Sequence, residues 1–502
     1  MGNRLHRALG ALLVTLSVLL ATVAPALAAT VTVSAIRVGQ YTDYTRIVIE
    51  ASGTTTYAQS TADDPYRIII DVSNATLGSI TSPIDVDDGT VRQVRWSQFS
   101  PTVVRVVIEL EVAMPYTHST LSGPFRILVD VTKQKSTQPA PAIRVGLLWQ
   151  QSEVAFGGTG AFNIVNLATG GLIATGTANT TWKVKAETTG YGVYNPSGTK
   201  VGTFTGPIRV KLQTPASYRL TAKGLQYRGE FEVKKNVANQ VALINEVDTE
   251  SYLYGVVPKE MSSTWNLNAL RAQAMAARTY ARANMGRRAA DGCDVYDSTE
   301  DQVYGGATGE AASTTTAVND TRGTVMIYGG ALINALFHST AGGYTENNEN
   351  VFDQAAMPYL RGVATTWESA SPVYNWTATV TNTDMQTKLN ANPETAVGTL
   401  QAITPHDKGV SGRWLWVDIT GSQGTKTVRA DTFRKAVGAG TVKSTLFTLT
   451  RSGTDWAFTG KGYGHGVGMP QYSAKGMGDA GYAFRKILRT FYTDGIRFQV
   501  QY

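Results

Sequence analysis

The chain has 502 residues, with 45 Lys and Arg against 38 Asp and Glu, five His, one Cys and 42% hydrophobic residues. At about 150 residues per domain there is room for roughly three domains, and the apolar content excludes global disorder. One cysteine excludes an intramolecular disulfide and a Cys-rich zinc site, and a net charge of +7 without Lys/Arg blocks or aromatic platforms argues against a nucleic-acid partner.

Taken in chain order, residues 1–28 read as a secretory signal peptide. Arg4 and Arg7 supply the positive start, Ala8 to Ala24 the apolar run, and Ala26-Leu27-Ala28 a small-x-small cleavage site. An uncleaved anchor helix is the alternative reading, and Pro25 with the small residues after it favours cleavage. Later stretches are too short or too polar to span a bilayer. The protein is therefore expected to be exported, in the cell envelope or outside it, with a mature charge of about +5 that is weakly suited to an anionic wall.

Residues 31–133 contain an internal repeat. Thr45-Arg46-Ile47-Val48-Ile49-Glu50 returns as Val104-Arg105-Val106-Val107-Ile108-Glu109, and Tyr66-Arg67-Ile68-Ile69-Ile70-Asp71-Val72 as Phe125-Arg126-Ile127-Leu128-Val129-Asp130-Val131; Tyr57 and Tyr116 match, and the matched Arg residues and Tyr residues are each 59 positions apart. β-Branched runs broken by Gly, Asp and Pro predict a β-sandwich of two similar halves, with Ile68, Ile70 and Val72 on its core face. The segment resembles the AMIN domain, which implies attachment to cell-wall polysaccharide. Residues 134–142 are polar and Pro-containing and read as a short linker. From Ile143 to about Val241 the pattern is again that of strands and Gly-rich turns. With the helices beyond, the fold class is α+β: a β-sandwich, then a mixed β-rich domain over 143–502 with a few helices.

The composition changes at Leu243. Tyr252-Leu253-Tyr254-Gly255-Val256-Val257-Pro258-Lys259-Glu260-Met261 precedes a helix capped by Asn266, in which Leu267, Leu270, Ala274, Ala277 and Ala281 share a face and Arg271, Arg278 and Arg282 lie off it. A hairpin turning at Gly329-Gly330 delivers His338, Ser339 and Thr340 to a Gly-rich loop, where they can hydrogen-bond sugar hydroxyls and acetamido groups. Ser339 lacks a nucleophile-elbow context, so a serine hydrolase is rejected. Gly460, Gly462, Gly464, Gly466 and Gly468 fall at strictly alternate positions and fit no phosphate loop; read as an extended strand they leave one bare face, with Tyr463 and His465 opposite as wall and donor. Gln471 and Tyr472 follow, before a helix predicted near Tyr482 to Tyr492.

These segments, with Ala269-Leu270-Arg271-Ala272-Gln273-Ala274, Phe337-His338-Ser339-Thr340-Ala341-Gly342-Gly343, Thr345-Glu346-Asn347, Pro358-Tyr359-Leu360 and Gly462-Tyr463-Gly464-His465-Gly466-Val467-Gly468-Met469-Pro470-Gln471-Tyr472, strongly resemble the stage II sporulation protein D family (SpoIID/LytB). The resemblance spans roughly residues 143–502. It implies a lytic transglycosylase that cuts peptidoglycan glycan strands between N-acetylmuramic acid and N-acetylglucosamine, with Glu260 as catalytic acid and base. A glycosidic oxygen leaves only once protonated, and an apolar setting of Val256, Val257 and Met261 would favour the neutral acid. In that reading Pro258 fixes a turn ahead of Glu260. Arg278 contacts substrate, holds the catalytic loop through a carboxylate, or makes a structural ion pair; Tyr304 borders the groove; His338, Ser339, Thr340, His465 and Gln471 bind substrate. Some relatives carry a Cys/His zinc cluster where this chain has only Cys293, so no metal and no cofactor is expected. The runner-up function is a noncatalytic peptidoglycan-binding protein that stimulates a cell-wall amidase, its possible partner; a pure adhesion or scaffold role is the third reading.

Overall fold

The computed structural model describes residues 30–502 apart from Asp64, so the signal segment read at 1–28 lies outside the described residues. Its first unit is a sandwich of ten strands: β1 (Val31–Gln40), β2 (Tyr44–Ala51), β3 (Tyr57–Ala62), β4 (Arg67–Ser73), β5 (Ala75–Leu77), β6 (Ile84–Asp85), β7 (Val91–Ser100), β8 (Val103–Leu110), β9 (Tyr116–Leu121) and β10 (Phe125–Thr132). Alternation sets the faces: Ile68, Ile70 and Val72 of β4 are buried, while Arg67, Ile69 and Asp71 between them are only partly so.

The repeat relates β1 to β7, β2 to β8, β3 to β9 and β4 to β10, yet the two halves do not make one sheet each. The sheets run β5-β1-β2-β10-β9 and β3-β4-β8-β7-β6, so each half lends two of its four matched strands to each sheet. Two repeat-related ion pairs seal the exchange. Arg46 of β2 grips Asp130 of β10 with two bonds of 2.7 Å, and Arg105 of β8 grips Asp71 of β4 in the same way. Each register places the arginine directly opposite its aspartate.

The linker leads into a strand from Ala142 to Gln151, part of a seven-stranded sheet that packs with a six-stranded one around a shared core. Three helices follow: α1 (Thr249–Glu260), α2 (Leu267–Ala283) and α3 (Ala312–Asp320). The alanines of α2 let it act as a beam between two cores. Ala274, Ala277 and Ala281 face the β-rich core, whereas Ala269, Ala272 and Ala276 face Met469, Ile487, Leu488 and Phe491. After α4 (Asn348–Val351), residues 375–461 pack around a core of their own, made by two three-stranded sheets with α5 (Asn382–Asn390) and α6 (Ala430–Val437). The chain closes with α7 (Gln471–Asp479), α8 (Phe484–Phe491) and a last strand, Arg497–Val500, paired with Thr324–Tyr328. The architecture is α+β, and the stretch read from sequence as one unit over 143–502 is packed around three large cores. Among the described residues no helix is long and apolar enough to cross a membrane.

Candidate active site

The geometry around Glu260 starts with α1. Asp248 caps the helix by accepting from the Ser251 amide at 3.0 Å, and Tyr252, Leu253, Val256 and Val257 bury its inner face. The turn expected at Pro258 is instead helix: Pro258 lies within α1, near its C-terminal end, and Glu260 is the helix's last residue. A proline there gives up one backbone bond, and the Met261 amide restores closure by donating to the Val257 carbonyl at 2.9 Å. The carboxyl thus sits at the negative end of a helix dipole, a position that disfavours its anionic form.

Glu260 is partly buried, and loss of solvent raises its pKa above the usual glutamate value. Two donors oppose that shift: the Val303 amide at 3.2 Å to Oε1 and the Gln471 side-chain amide at 3.3 Å to Oε2. Neither partner is charged. The Val303 amide is held by its neighbours in the chain. Asp301 accepts from the Tyr296 amide at 3.0 Å and from Arg288 at 3.0 Å; Gln302 accepts from the Tyr252 hydroxyl and donates to the Ala277 carbonyl; the Tyr304 hydroxyl donates to Asn245 at 3.0 Å. Tyr304 is thereby a buried brace behind the loop, not a groove wall as expected.

The second side of the site comes from the strand Phe337–His338, which runs parallel to Met469–Pro470 and so brings residue 339 beside the start of α7. The Tyr472 amide donates to the Ser339 carbonyl at 3.0 Å. Ser339 remains partly exposed, with its hydroxyl 3.2 Å from that of Thr340. Gln471, the first residue of α7, is the expected site residue that reaches the carboxyl.

Four other expectations of substrate contact are corrected. Arg278 is fully buried and forms a two-bond ion pair with Glu250 at 2.7 and 2.8 Å, while also donating to Val318 and Thr321. It anchors the first turn of the helix that ends at Glu260, and its place off the apolar stripe of α2 marked a buried charge instead of a surface one. His338 is buried, with Nδ1 against the Val467 carbonyl at 3.0 Å, and burial holds its pKa well below the ordinary histidine value. His465 donates from Nε2 to the Phe337 carbonyl and accepts at Nδ1 from the Val467 amide; desolvation lowers its pKa to about 4, so it is neutral and both nitrogens are spent on backbone. Thr340 is buried and paired with the Ser371 hydroxyl at 2.8 Å.

Gly460 lies in the strand Asp455–Lys461, but beyond it the glycine run is not a strand. Gly462, Gly464, Gly466 and Gly468 have φ of 76°, 104°, 85° and 72°, a left-handed path that only glycine follows without strain. It lies against the chain's own backbone: a Cβ on Gly468 would stand 2.0 Å from the Leu336 carbonyl oxygen.

Two buried side chains that sequence reading missed hold the loop after Thr340. The Glu368 carboxylate accepts from the amides of Ala341, Gly342 and Gly343 at 2.6, 2.8 and 3.2 Å, and Arg413 donates to the carbonyls of Ala341 and Tyr344 at 2.6 and 2.8 Å. Neither lies in a motif; the Gly342-Gly343 pair, whose positive φ turns successive amides toward one point, is the trace they leave in the sequence. Cys293 is buried against Tyr296 and Ile244, and burial pushes its thiol up to about 12.

Comparison with known proteins places this arrangement in a class. The family model described as Stage II sporulation protein matches residues 237–328, the AMIN domain matches residues 35–123, and a domain of unknown function (DUF8618) matches residues 359–468. The chain is 33% identical over 266 residues to the Stage II sporulation protein D of Bacillus subtilis, covering 50% of this chain and 74% of that protein. It is 30% identical over 341 residues to the Amidase enhancer of the same organism, where it spans 58% of this chain and about half, 47%, of the relative. A shorter match, 33% over 72 residues, links 14% of it to 17% of the N-acetylmuramoyl-L-alanine amidase AmiC of Neisseria meningitidis. The chain is thus an AMIN-bearing α+β protein, and it belongs to the stage II sporulation protein D family.

Proposed function

We propose that this protein is an exported, wall-associated lytic transglycosylase acting on peptidoglycan glycan strands. The observation that carries the reading is Glu260: a partly buried carboxyl at a helix C-terminus, raised in pKa, with two neutral hydrogen-bond donors and, among the described residues, no charged partner. In its neutral form it donates a proton to the glycosidic oxygen as the bond to the muramic acid anomeric carbon breaks. The sugar's own O6 then bonds to that carbon, and its hydroxyl proton passes to the Glu260 carboxylate. A 1,6-anhydro ring and a free hydroxyl result, no water is consumed, and one carboxyl serves as acid and then base. A hydrolase of the usual two-carboxylate type would instead need a second acid across the sugar. The AMIN match supports a second, anchoring contact with the wall through the N-terminal sandwich.

The alternative, a noncatalytic protein that stimulates a cell-wall amidase, is favoured by the 30% identity to a protein named Amidase enhancer. Digestion of purified glycan strands, with products weighed by mass spectrometry, separates the two. Wild-type protein is expected to release anhydromuramic ends, with the Glu260→Gln variant slower by about 10²–10⁴-fold. Strands left intact by both proteins, with binding retained, would leave the amidase-stimulating role; reducing ends would mean hydrolysis.

A further inference from the structure

Beside the proposed catalytic carboxyl stand two aromatic residues that the reading of Glu260 leaves unused. Trp265 follows Glu260 by five positions, on a turn that folds back on itself as the Trp265 amide donates to the Ser262 carbonyl at 3.0 Å. Tyr472 follows Gln471, whose amide touches Glu260. The two rings meet edge to face, with centroids 4.9 Å apart and planes at 62°. Both residues are only partly buried, although Trp265 packs its inner edge on the helical core.

Their polar ends are open. Among the described residues neither the Trp265 indole nitrogen nor the Tyr472 hydroxyl has a hydrogen-bond partner, and the indole nitrogen is not a buried orphan. This differs from the two buried tyrosines behind the Glu260 loop. The Tyr252 and Tyr304 hydroxyls are both hydrogen-bonded inside the protein. An aromatic pair with one apolar face each and a free donor each suits a ring that is apolar on its C–H face and polar at its rim.

We infer that Trp265 and Tyr472 form the aromatic wall of a pyranose subsite next to Glu260, taking the C–H face of a 2-acetamido sugar. The partly exposed Ser339, whose carbonyl is tied to the Tyr472 amide, supplies the polar side of the same subsite. A turn and a helix start more than two hundred positions apart in sequence then grip one sugar and set its glycosidic oxygen against the carboxyl. Because Gln471 and Tyr472 are adjacent, the contact that orients Glu260 and the contact that orients the sugar share one helix end.

The inference rests on the reading of Glu260 and is tested apart from it, by binding. In the Glu260→Gln background, where strands are not consumed, the affinity for a soluble N-acetylglucosamine–N-acetylmuramic acid tetrasaccharide is measured by calorimetry. Adding Trp265→Ala or Tyr472→Ala is expected to weaken binding by about tenfold each, whereas Trp265→Phe retains most of it. Thermal melting identifies any variant that fails to fold, and the other alanine variant then carries the test. Unchanged affinity in a folded variant overturns the subsite. If wild-type protein makes no anhydro ends but tetrasaccharide binding still depends on Trp265, the subsite stands and the transglycosylase reading falls. If strands are cut and the Trp265→Ala enzyme has an unaltered KM, the subsite falls and that reading stands.

Discussion

A carboxyl at the C-terminal end of a helix, short of water and without a cation, is an acid kept in reserve, and Glu260 is such a residue. Its raised pKa carries a sign for stability. The folded chain retains this proton at pH values where the unfolded chain has released it, so the contribution is full below the unfolded pKa and is lost as pH rises through the folded one. Glu260→Gln is therefore expected to melt higher than wild type at neutral pH, with the difference closing as pH falls below the ordinary glutamate range. Melting curves over pH 3 to about pH 8 check this, and a parallel pair of curves would mean that the carboxyl is not destabilised by the fold. The activity limb assigned to the acid should likewise lie on the alkaline side of an unperturbed glutamate. Glu260 stands out in the sequence because motif and chemistry agree at one position. Arg278 was readable only as a set of alternatives, because the choice of the ion pair over substrate contact depends on Glu250, a residue 28 positions away on another helix.

At the scale of elements, local rules succeeded where local interactions decide. The Gly329-Gly330 turn has both residues at positive φ and joins Tyr328 to Ala331 in register, and the Asn266 cap accepts from the Asn268 amide at 2.8 Å, both as read from sequence. They failed where tertiary packing overrides propensity. Pro258 reads as a helix breaker, yet the buried Val256 and Val257 keep α1 helical past it. Alternating glycines read as a strand, but from Gly462 to Gly468 their φ is positive, and a side chain at Gly464, Gly466 or Gly468 would collide with His338, Arg413 or the Leu336 carbonyl. Helix α7 was missed, since Gly476 and Gly478 lower its propensity while permitting close approach to Trp367 and α2. A paired test isolates close approach from backbone strain. Gly468 and Gly481 both have positive φ, but only Gly468 has backbone in its way. Gly481→Ala is expected to cost about 1 kcal/mol in urea unfolding, and Gly468→Ala about 1–3 kcal/mol more with loss of glycan cleavage. Equal losses would mean that the contact with Leu336 is relieved by small shifts.

For the whole molecule, the segment that composition marks as a spacer is fastened at both sides. Gln134 donates to the Gly89 and Phe498 carbonyls and accepts from the Val500 amide, so it bridges the sandwich and the final strand. Arg485 donates to the Asp87 carbonyl, Arg489 pairs with Asp87 and Glu111, and the Phe498 amide donates to buried Glu111. No sequence rule could have found this joint, whose partners are nearly four hundred positions apart. Arg489→Ala takes from Glu111 its hydrogen-bonded cation and leaves Arg485 as the nearby charge, so docking should weaken by about 3 kcal/mol. The expected outcome is faster proteolysis within residues 134–142, with cleavage of soluble glycan unaffected and cleavage of intact wall reduced. A proteolysis rate equal to wild type would show that the joint does not depend on this pair.

The exchange of strands in the N-terminal sandwich also sets a timetable. The hairpins β1–β2 and β3–β4 contain only local pairs, and an isolated two-stranded hairpin is marginal in water. Their permanent neighbours, β10 and β8, come from the other half of the repeat. A chain delivered from its N-terminus must therefore bring out its first hundred residues before either sheet has a third long strand. Both sheets thus close only when strands of both halves of the repeat are present.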